Sequence, residues 1–320
     1  MTQAADRPLL GILLMTGFCV LAPMGDGMAK YLGAAVPVFQ IVTIRFAMQA
    51  VMLMPLMGRG GRGWRMTRRV FWLTALRTVV HVTGLWLLYV SLQYLPLADA
   101  IAIVFVMPFI LLILGKFVLH EEVGPRRLAA CGVGFIGTML VIQPSFSDVG
   151  LVAVLPLVVA LLFALFMMVT RMIARDTDAI TLQTYSGLMA SAVMVPVLLL
   201  FIGSGNEIFA PVRATGFEWL ILLAMGIAGT LGHLLMTGAL RHAPAATLAP
   251  MQYLEIPFAT LFGWLMFQDL PDGLAALGIV ITVASGLYIV ARERRLSKVK
   301  LPTPPQPMPL PERSPASARR

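Results

Sequence analysis

Ten stretches of about twenty apolar residues follow one another along this chain of 320 residues, and the second five repeat the order of the first five. A helix needs about 20 residues to cross the ~30 Å hydrocarbon core of a bilayer. The stretches are continuous rather than alternating, which favours helices over a barrel. Because each unit has an odd number of spans, two consecutive units would enter a membrane in opposite orientations. We therefore predict an all-α integral membrane fold with ten transmembrane helices as two inverted five-helix repeats.

The predicted spans divide the chain into two repeats and a tail. The first repeat covers residues 8–143, the second covers residues 149–292, and the tail covers residues 293–320. The tail is rich in proline and begins with basic residues, so we expect it to be disordered and cytoplasmic, starting near anionic lipid headgroups. The ten spans are placed at residues 9–29, 36–57, 70–92, 97–119, 127–143, 149–170, 180–202, 217–239, 246–267 and 273–291.

Composition and the positions of the charges exclude two other classes of protein. Hydrophobic residues make up 59% of the chain and charged residues 12%, whereas soluble domains are about a quarter charged. The net charge is +9, but twenty of the 24 Lys and Arg residues fall on one side of the predicted topology. By the positive-inside rule that side, with both termini, is cytoplasmic. Recognition of nucleic acid needs a basic face on a folded domain, so we expect no nucleic-acid partner.

A nearly fixed offset relates residues of the two predicted repeats. Glu121 at the end of span four corresponds to Asp269 at the end of span nine, 148 residues later. Pro108 and Pro257, inside the same two spans, correspond at an offset of 149. A period of this length indicates duplication of a five-helix unit, a recurrent plan for secondary transporters. Since a proline inside a helix permits a kink, we predict Pro108 and Pro257 to be matched hinges.

Ionisable side chains at membrane depth are costly, so each is a candidate for substrate binding or gating. Arg45 lies about halfway along span two, and Glu255 lies about halfway along span nine with Gln252 three residues before it. Arg77 and His81 are four residues apart in span three and share a helix face. Two structural interpretations stay open. Arg45 could pair with Glu255 to fix packing, and Arg77 could extend towards the cytoplasmic headgroups.

Three further candidates for substrate binding or gating lie on spans one, four and eight. Asp26 is four residues before Lys30 at the outer end of span one, where the two could instead form an interfacial pair. Asp99 opens span four and could instead cap it. His233 lies on a polar face of span eight, where an imidazole could relay protons or hydrogen-bond to neighbouring helices.

The chain also resembles a known family. It resembles EamA-type transporters of the drug/metabolite transporter superfamily in the segment LPLADA…MPF…LHEEVGPRRLAACGVGFIGTMLV and in its echo APAATLAP…EIPF…FQDLPDGLAALGIVITVASGLYIV. It is similar to the branch with S-adenosylmethionine and organic-anion carriers in its opening, GDGMAKYLG…VPVFQIVTIRF. Over about residues 8–292 the resemblance implies two inverted five-helix repeats around a central cavity, in an inner membrane. It supplies no catalytic signature.

These features favour secondary transport of a small organic solute. The solute would bind between the halves, and the two repeats would rock around it. A guanidinium suits a carboxylate or phosphate group, and Glu255 would accept an amino group or a coupling proton. We therefore expect an amino-acid-like, zwitterionic or anionic substrate. The alternative is proton-coupled efflux of drugs or cations.

An integral membrane enzyme is the remote alternative, because the sequence lacks the usual catalytic motifs. No HExxH, GxSxG or phosphate-binding glycine loop occurs in it. Cys19 and Cys131 both lie in predicted spans and have no metal-ligand spacing. We expect no enzymatic activity, no cofactor and no metal site. The expected partners are a small-molecule substrate and the lipid bilayer, and both a monomer and a homodimer stay open.

Overall fold

The structure is a computed structural model that describes residues 7–57, 66–95, 97–121, 123–142, 154–268 and 273–298. Within these ranges every regular element is a helix and no strand is present. The all-α prediction is therefore confirmed for this part of the chain.

Helices of the first predicted repeat begin with polar or proline caps. Pro8 and Pro108 each lie in the first turn of a helix, where a proline loses no hydrogen bond. The hydroxyl of Thr67 accepts from the backbone N–H of Val70 and caps a third helix. The elements are α1 (Pro8–Leu32), α2 (Val38–Leu53, followed by a 3₁₀ turn at Met54–Leu56), α3 (Arg68–Ser91), α4 (Leu97–Val104), α5 (Met107–Phe117) and α6 (Pro125–Ile142).

Helices of the second predicted repeat also use polar caps. Asp178 accepts from the backbone N–H groups of Ile180 and Thr181, and Thr215 forms a capping box with Glu218. These caps fix where the apolar helices begin. The elements are α7 (Leu155–Ile173), α8 (Ala179–Leu200), α9 (Gly216–His242), α10 (Ala245–Leu248), a 3₁₀ segment (Ala249–Leu254), α11 (Glu255–Phe267) and α12 (Gly273–Lys298).

Six of the described helices are long and apolar enough to cross a membrane, judged by length and composition. Three shorter apolar helical stretches are α5 (Met107–Phe117), Leu128–Gly137 within α6 and Ala276–Ser285 within α12. The structure therefore supports a membrane protein, while the number of ten transmembrane helices stays a prediction. The six long helices are Pro8–Leu32, Val38–Leu56, Arg68–Ser91, Leu155–Ile173, Ala179–Leu200 and Gly216–His242.

The predicted fourth and ninth spans are not continuous helices. Two residues separate the end of α4 from the start of α5, and the 3₁₀ segment separates α10 from α11. Pro108 is the second residue of α5, and Pro257 is the third residue of α11. A proline lacks the N–H donor and clashes with the preceding turn, so each new helix has its proline in its first turn. The prediction of single helices over 97–119 and 246–267 is therefore wrong.

The helix boundaries repeat at the offset found in the sequence. α3, α4, α5 and α6 begin at residues 68, 97, 107 and 125, and α9, α10, α11 and α12 each begin 148 residues later. Helices of the two repeats pack in pairs, α1 on α9, α2 on α8, α3 on α7 and α6 on α12. A Cβ on Gly187 would lie 2.8 Å from the backbone N of Ala50, so glycine there lets α2 and α8 touch backbone to backbone.

Parts of the predicted tail and connections lie outside the described residues. These parts are the tail from residue 299 onward, the loop at 58–65 and the segment at 143–153 between the repeats. α12 continues to Lys298, so helix extends past residue 292, where the second repeat is predicted to end. The first six residues of the predicted disordered tail are therefore helical.

Candidate functional site

A cavity lies between helices of both repeats. It is bordered by residues of α1–α5, α7, α9 and α11 and holds about 760 Å³ of space, open solvent at its mouth included. Most of its wall is apolar and aromatic, and its acidic and basic side chains are Asp26, Arg45, His233 and Glu255. Ligand sites commonly have a few polar groups in an apolar wall. Four of the predicted site residues therefore meet in a space of suitable chemistry.

The cavity lies around the middle of the bundle. Its lining residues on α3, and those on α1 other than Phe18, fall in the C-terminal halves of these helices, and α4 lines it near the α4–α5 break. On α9 and α11 the lining residues lie near the middle of the corresponding predicted spans. The cavity therefore runs from the middle of the bundle towards the end at which α1 and α3 terminate.

The guanidinium of Arg45 packs directly against α9, in space that is free because residue 229 is a glycine. Its side chain is buried, and a Cβ on Gly229 would lie 2.7 Å from Arg45 Nε and 2.9 Å from Nη2. The guanidinium carbon is 5.7 Å from the ring centroid of Phe46. Arg45 Nη1 has no hydrogen-bond partner in the described part of the chain. The guanidinium is thus shielded by the protein but keeps a donor unused beside the cavity.

Asp26 and Glu255 bring carboxyl groups to the cavity from two different repeats. Asp26 lies near the C-terminal end of α1, and Glu255 is the first residue of α11. The two carboxylates are within electrostatic range of each other, and Asp26 is also within range of Arg45. Among the described residues, neither Glu255 Oε1 nor Arg45 Nη1 has a hydrogen-bond partner. These two atoms therefore do not form the hydrogen bond that a packing pair of Arg45 and Glu255 would be expected to make.

Arg77 and His81 lie deeper than the cavity wall, and both are fully buried. Arg77 Nε donates to Thr170 Oγ1 at 2.7 Å, and its Nη1 donates to Ser186 Oγ at 2.6 Å. The interpretation that Arg77 extends to the headgroups is therefore wrong, because its guanidinium is enclosed by protein. The His81 ring stacks on Phe166 with centroids 4.2 Å apart.

His81 and His233 meet although they belong to different repeats. Their ring centroids are 4.3 Å apart, and His233 lines the cavity while His81 lies behind it. The sequence analysis places both residues in spans but does not predict this contact. The contact joins the cavity wall to the buried Arg77 one helical turn away on α3.

Gln252 and Lys30 are not part of this group of polar side chains. Gln252 is fully buried in the 3₁₀ segment, where its Nε2 lies 3.3 Å from Met167 Sδ, and it does not line the cavity. Asp99 belongs to α4, and its side chain lies outside the described residues. Lys30 donates to the carbonyl of Leu95 at 3.0 Å and borders a separate pocket at the end of α1.

At the other end of the bundle, where α1 begins, the Glu121 carboxylate connects several helices by hydrogen bonds. Glu121 Oε1 accepts from Arg171 Nε at 3.0 Å and from the backbone N–H of Ala245 at 3.2 Å. Its Oε2 accepts from the backbone N–H of Ala246 at 3.0 Å, and Arg171 Nη1 donates to the carbonyl of Leu240 at 2.6 Å. This Glu121 network joins the residues after α5 to the ends of α7 and α9 and to the start of α10.

Three residues that shape the site escape sequence analysis. Phe166 contacts both His81 and His233, yet it is one apolar residue among many in its span. Thr170 and Ser186 hold Arg77, but no periodicity marks them as its partners. A polar residue opposite a buried arginine is recognisable once the packing of α3 on α7 and α8 is known.

The fold and the charged cavity define a helical membrane protein whose central site is shared by two repeated halves. The EamA-like transporter family matches this chain twice, over residues 9–143 and over residues 150–291. The chain therefore belongs to the EamA-like transporter family.

Relatives of known name are transporters of different solutes. The S-adenosylmethionine uptake transporter of Rickettsia prowazekii (strain Madrid E) is 24% identical over 92% of this chain and 97% of its own length. The riboflavin transporter of Rhizobium johnstonii is 30% identical over 70% and 72%, and the pseudopaline exporter of Pseudomonas aeruginosa is 26% identical over 91% and 96%. A solved crystal structure that is 18% identical superposes with a TM-score of 0.67 over 90% of this chain and 98% of that one, which shows a shared fold.

Proposed function

We propose that this protein is a secondary transporter of small organic solutes that carry an acid group, most favourably together with an amino group. The observation that supports this function is the meeting of Arg45 with Asp26 and Glu255 in one cavity between the repeats. A guanidinium binds a planar carboxylate in a bidentate manner, and the two carboxylates accept an ammonium group. An amino-acid-like zwitterion satisfies both signs of charge at once.

The mechanism is alternating access of two inverted five-helix repeats in an inner membrane, with both termini cytoplasmic. In this structure the cavity extends towards the predicted outer side, and the Glu121 network closes the predicted cytoplasmic side. The α4–α5 and α10–α11 breaks flank the cavity at matched positions, with Pro108 and Pro257 fixing where the helices restart. Rocking of one repeat against the other would open the closed end and close the open one.

The name of one group of relatives agrees with a solute of this kind, whereas riboflavin, named for another relative, has no acid group. S-adenosylmethionine, which the Rickettsia relative takes up, contains an amino-acid group. An exporter also occurs among the relatives, so the direction of transport has to be measured for this protein.

The test is a thermal-stability screen of the purified protein in detergent, with amino acids, amines, S-adenosylmethionine, organic acids and cationic drugs. A solute at a hundred times its Kd stabilises the bound fold by about 2.7 kcal/mol, which is readily measured. We expect a zwitterion to stabilise the wild type but neither Arg45→Ala nor Glu255→Gln. Arg213→Ala, on an exposed segment away from the cavity, is the matched control and should respond as the wild type does.

Uptake into proteoliposomes then tests transport itself. Normal transport of the stabilising solute by both Arg45→Ala and Glu255→Gln would contradict the assignment of the site.

Proton-coupled efflux of drugs or cations is the second candidate function. The observation that favours it is the pair of carboxylates, Asp26 and Glu255, in a largely aromatic and apolar wall. Stabilisation by apolar cations alone, unchanged in Arg45→Ala, would establish this candidate in place of the first.

A further inference from the structure

Arg77 is a buried cation whose observed partners are hydroxyl groups. Its side chain is fully buried, its Nε and Nη1 donate to Thr170 and Ser186, and Nη2 has no partner in the described part of the chain. The Thr170 hydroxyl already donates to the carbonyl of Phe166 at 2.6 Å. Desolvating a guanidinium without a counter-charge is costly. The protein therefore maintains a positive charge here that its own described carboxylates do not neutralise.

Two imidazoles with unpartnered ring nitrogens connect this buried cation to the cavity. His81 and His233 are at least nine-tenths buried, and His81 Nδ1, His81 Nε2 and His233 Nδ1 lack hydrogen-bond partners among the described residues. Phe166 packs against all three basic side chains, with its ring centroid 4.4 Å from Arg77 Cζ, 4.2 Å from the His81 ring and 5.7 Å from the His233 ring. Buried polar atoms without partners are rare in native proteins, and here several gather in one place.

Two arginine side chains act on the imidazoles of this cluster. His81 is within electrostatic range of Arg45, Arg77 and His233, and His233 is within range of both arginines. The rings of Phe46 and Phe163 also contact His81, in addition to Phe166. A group that enters the cluster therefore meets hydrogen-bond donors, a positive field and aromatic walls, which suits an anion.

We propose that Arg77, His81 and His233 form an inner subsite for a carboxylate group. The proposal rests on the proposed function, because the carboxylate is that of the transported solute. It would move from Arg45 past His233 to the Nη1–Nη2 edge of Arg77 as the cavity closes towards the outer side and opens towards the cytoplasm. Arg45 on α2 and Arg77 on α3 would then hold the same group at successive depths.

The test measures binding of acetate to the cluster by NMR of the histidine ring nitrogens. The chain has four histidines, so ¹⁵N-histidine labelling of the full-length protein in detergent gives a spectrum that single His→Gln variants can assign. We expect sodium acetate to shift the His81 and His233 signals saturably and to leave His120 and His242 unchanged. Sodium chloride and sodium phosphate are separate arms, which distinguish a carboxylate from a free inorganic anion.

Arg77→Gln should weaken the apparent affinity for acetate at least about tenfold, which corresponds to ~1.4 kcal/mol. Arg77→Lys keeps the charge without the planar fork and should give an intermediate affinity. If Arg77→Gln does not fold, Ser186→Ala provides the second variant, because it releases one donor of Arg77 while keeping the cation. Arg213→Gln is the matched control and should bind acetate as the wild type does.

Three results would overturn the subsite. These are no shift with acetate, an equal shift in folded Arg77→Gln, or a shift with chloride or phosphate but not with acetate. The proposed function fails separately. If zwitterions bind through Arg45 and Glu255 while acetate leaves His81 unmoved, the subsite is wrong and the function stands. If acetate binds the cluster and no solute is transported, the function is wrong and the subsite stands.

Discussion

At the scale of single residues, the position of the Arg45 guanidinium depends on the absence of a side chain at residue 229. A methyl group on Gly229 would come within 3.0 Å of three guanidinium atoms. Since the end of an arginine side chain can move, we expect Gly229→Ala to fold but to displace Arg45 from its position beside the cavity. Misplacing a binding group by about 1 Å can lower activity ~100-fold, and we expect substrate affinity to fall at least about tenfold.

Gly25 offers a matched control for that substitution. It lines the same cavity, but a Cβ there would meet nothing within 4 Å. Gly25→Ala should therefore keep both the unfolding temperature and most of the substrate affinity. Titration of both variants with the stabilising solute checks the difference, and equal affinities would show that the position of Arg45 does not matter for binding.

Glu255 should limit the stability of the empty protein. Its carboxylate is within electrostatic range of Asp26, and its Oε1 lacks a hydrogen-bond partner among the described residues. A neutral amide is cheaper to bury than an unpaired carboxylate. We expect Glu255→Gln to raise the free energy of unfolding of the ligand-free protein by about 1 kcal/mol, as measured by thermal unfolding in detergent. A clear loss of stability would mean that the carboxylate has a structural partner.

Sequence analysis predicts the charged residues of the cavity better than their surroundings. Asp26, Arg45, His233 and Glu255 stand out because charge or a polar imidazole is unusual in an apolar span. The sequence cannot show that His81 meets His233, because that contact depends on how α3 and α9 pack. Apolar wall residues such as Phe166 carry no signal of their own, since every span is apolar.

At the scale of helices, the Glu121 network and the Arg69–Asp176 ion pair offer a comparison between a buried and an exposed carboxylate. Glu121 and Arg171 have side chains that are 11% exposed, whereas Arg69 and Asp176 are 63% and 43% exposed. We expect Glu121→Gln to lower the free energy of unfolding by about 1–3 kcal/mol, because charge-assisted bonds to Arg171 and two backbone N–H groups are weakened. Asp176→Asn should change it by about 0–1 kcal/mol.

Thermal unfolding of both variants under the same conditions checks this ranking. An equal effect of the two substitutions would mean that the Glu121 network does not hold the predicted cytoplasmic end together.

The interrupted spans show where sequence analysis of helices fails. The apolar runs at 97–119 and 246–267 satisfy the length of a transmembrane helix, and Pro108 and Pro257 predict a kink in each. The structure instead has a two-residue break before α5 and a 3₁₀ segment before α11. Hydropathy measures how apolar a segment is and not whether its hydrogen bonds are continuous, so breaks of this kind are invisible to it.

At the scale of the whole molecule, each repeat packs mainly against the other. The pairs α1–α9, α2–α8, α3–α7 and α6–α12 all join one helix from each half. We therefore expect residues 1–148 or residues 149–320, expressed alone, to give no monodisperse protein. The two segments expressed together should co-purify and bind the same solute as the intact chain. A single segment that is stable and monodisperse by itself would contradict this interlocked arrangement.

The duplication is the feature of the whole molecule that the sequence predicts best. An offset of 148 between Glu121 and Asp269 agrees with the offset between four pairs of helix starts. Internal comparison works because both copies are present in one chain. The sequence contains no comparable signal for which helix of one copy packs on which helix of the other. Only the structure shows these pairs.

The Glu121 network also affects the rate at which two backbone amides exchange hydrogen for deuterium. The backbone amide hydrogens of Ala245 and Ala246 point at a carboxylate of the other repeat, so they can exchange with deuterium only when the two repeats part at that end. Amide exchange at these positions requires an opening event and reports its free energy. If transport requires the same event, a transported solute will speed exchange at Ala245 and Ala246, whereas a bound inhibitor that locks this state will slow it. The exchange rates at these two alanines would then report how often the two repeats separate during transport.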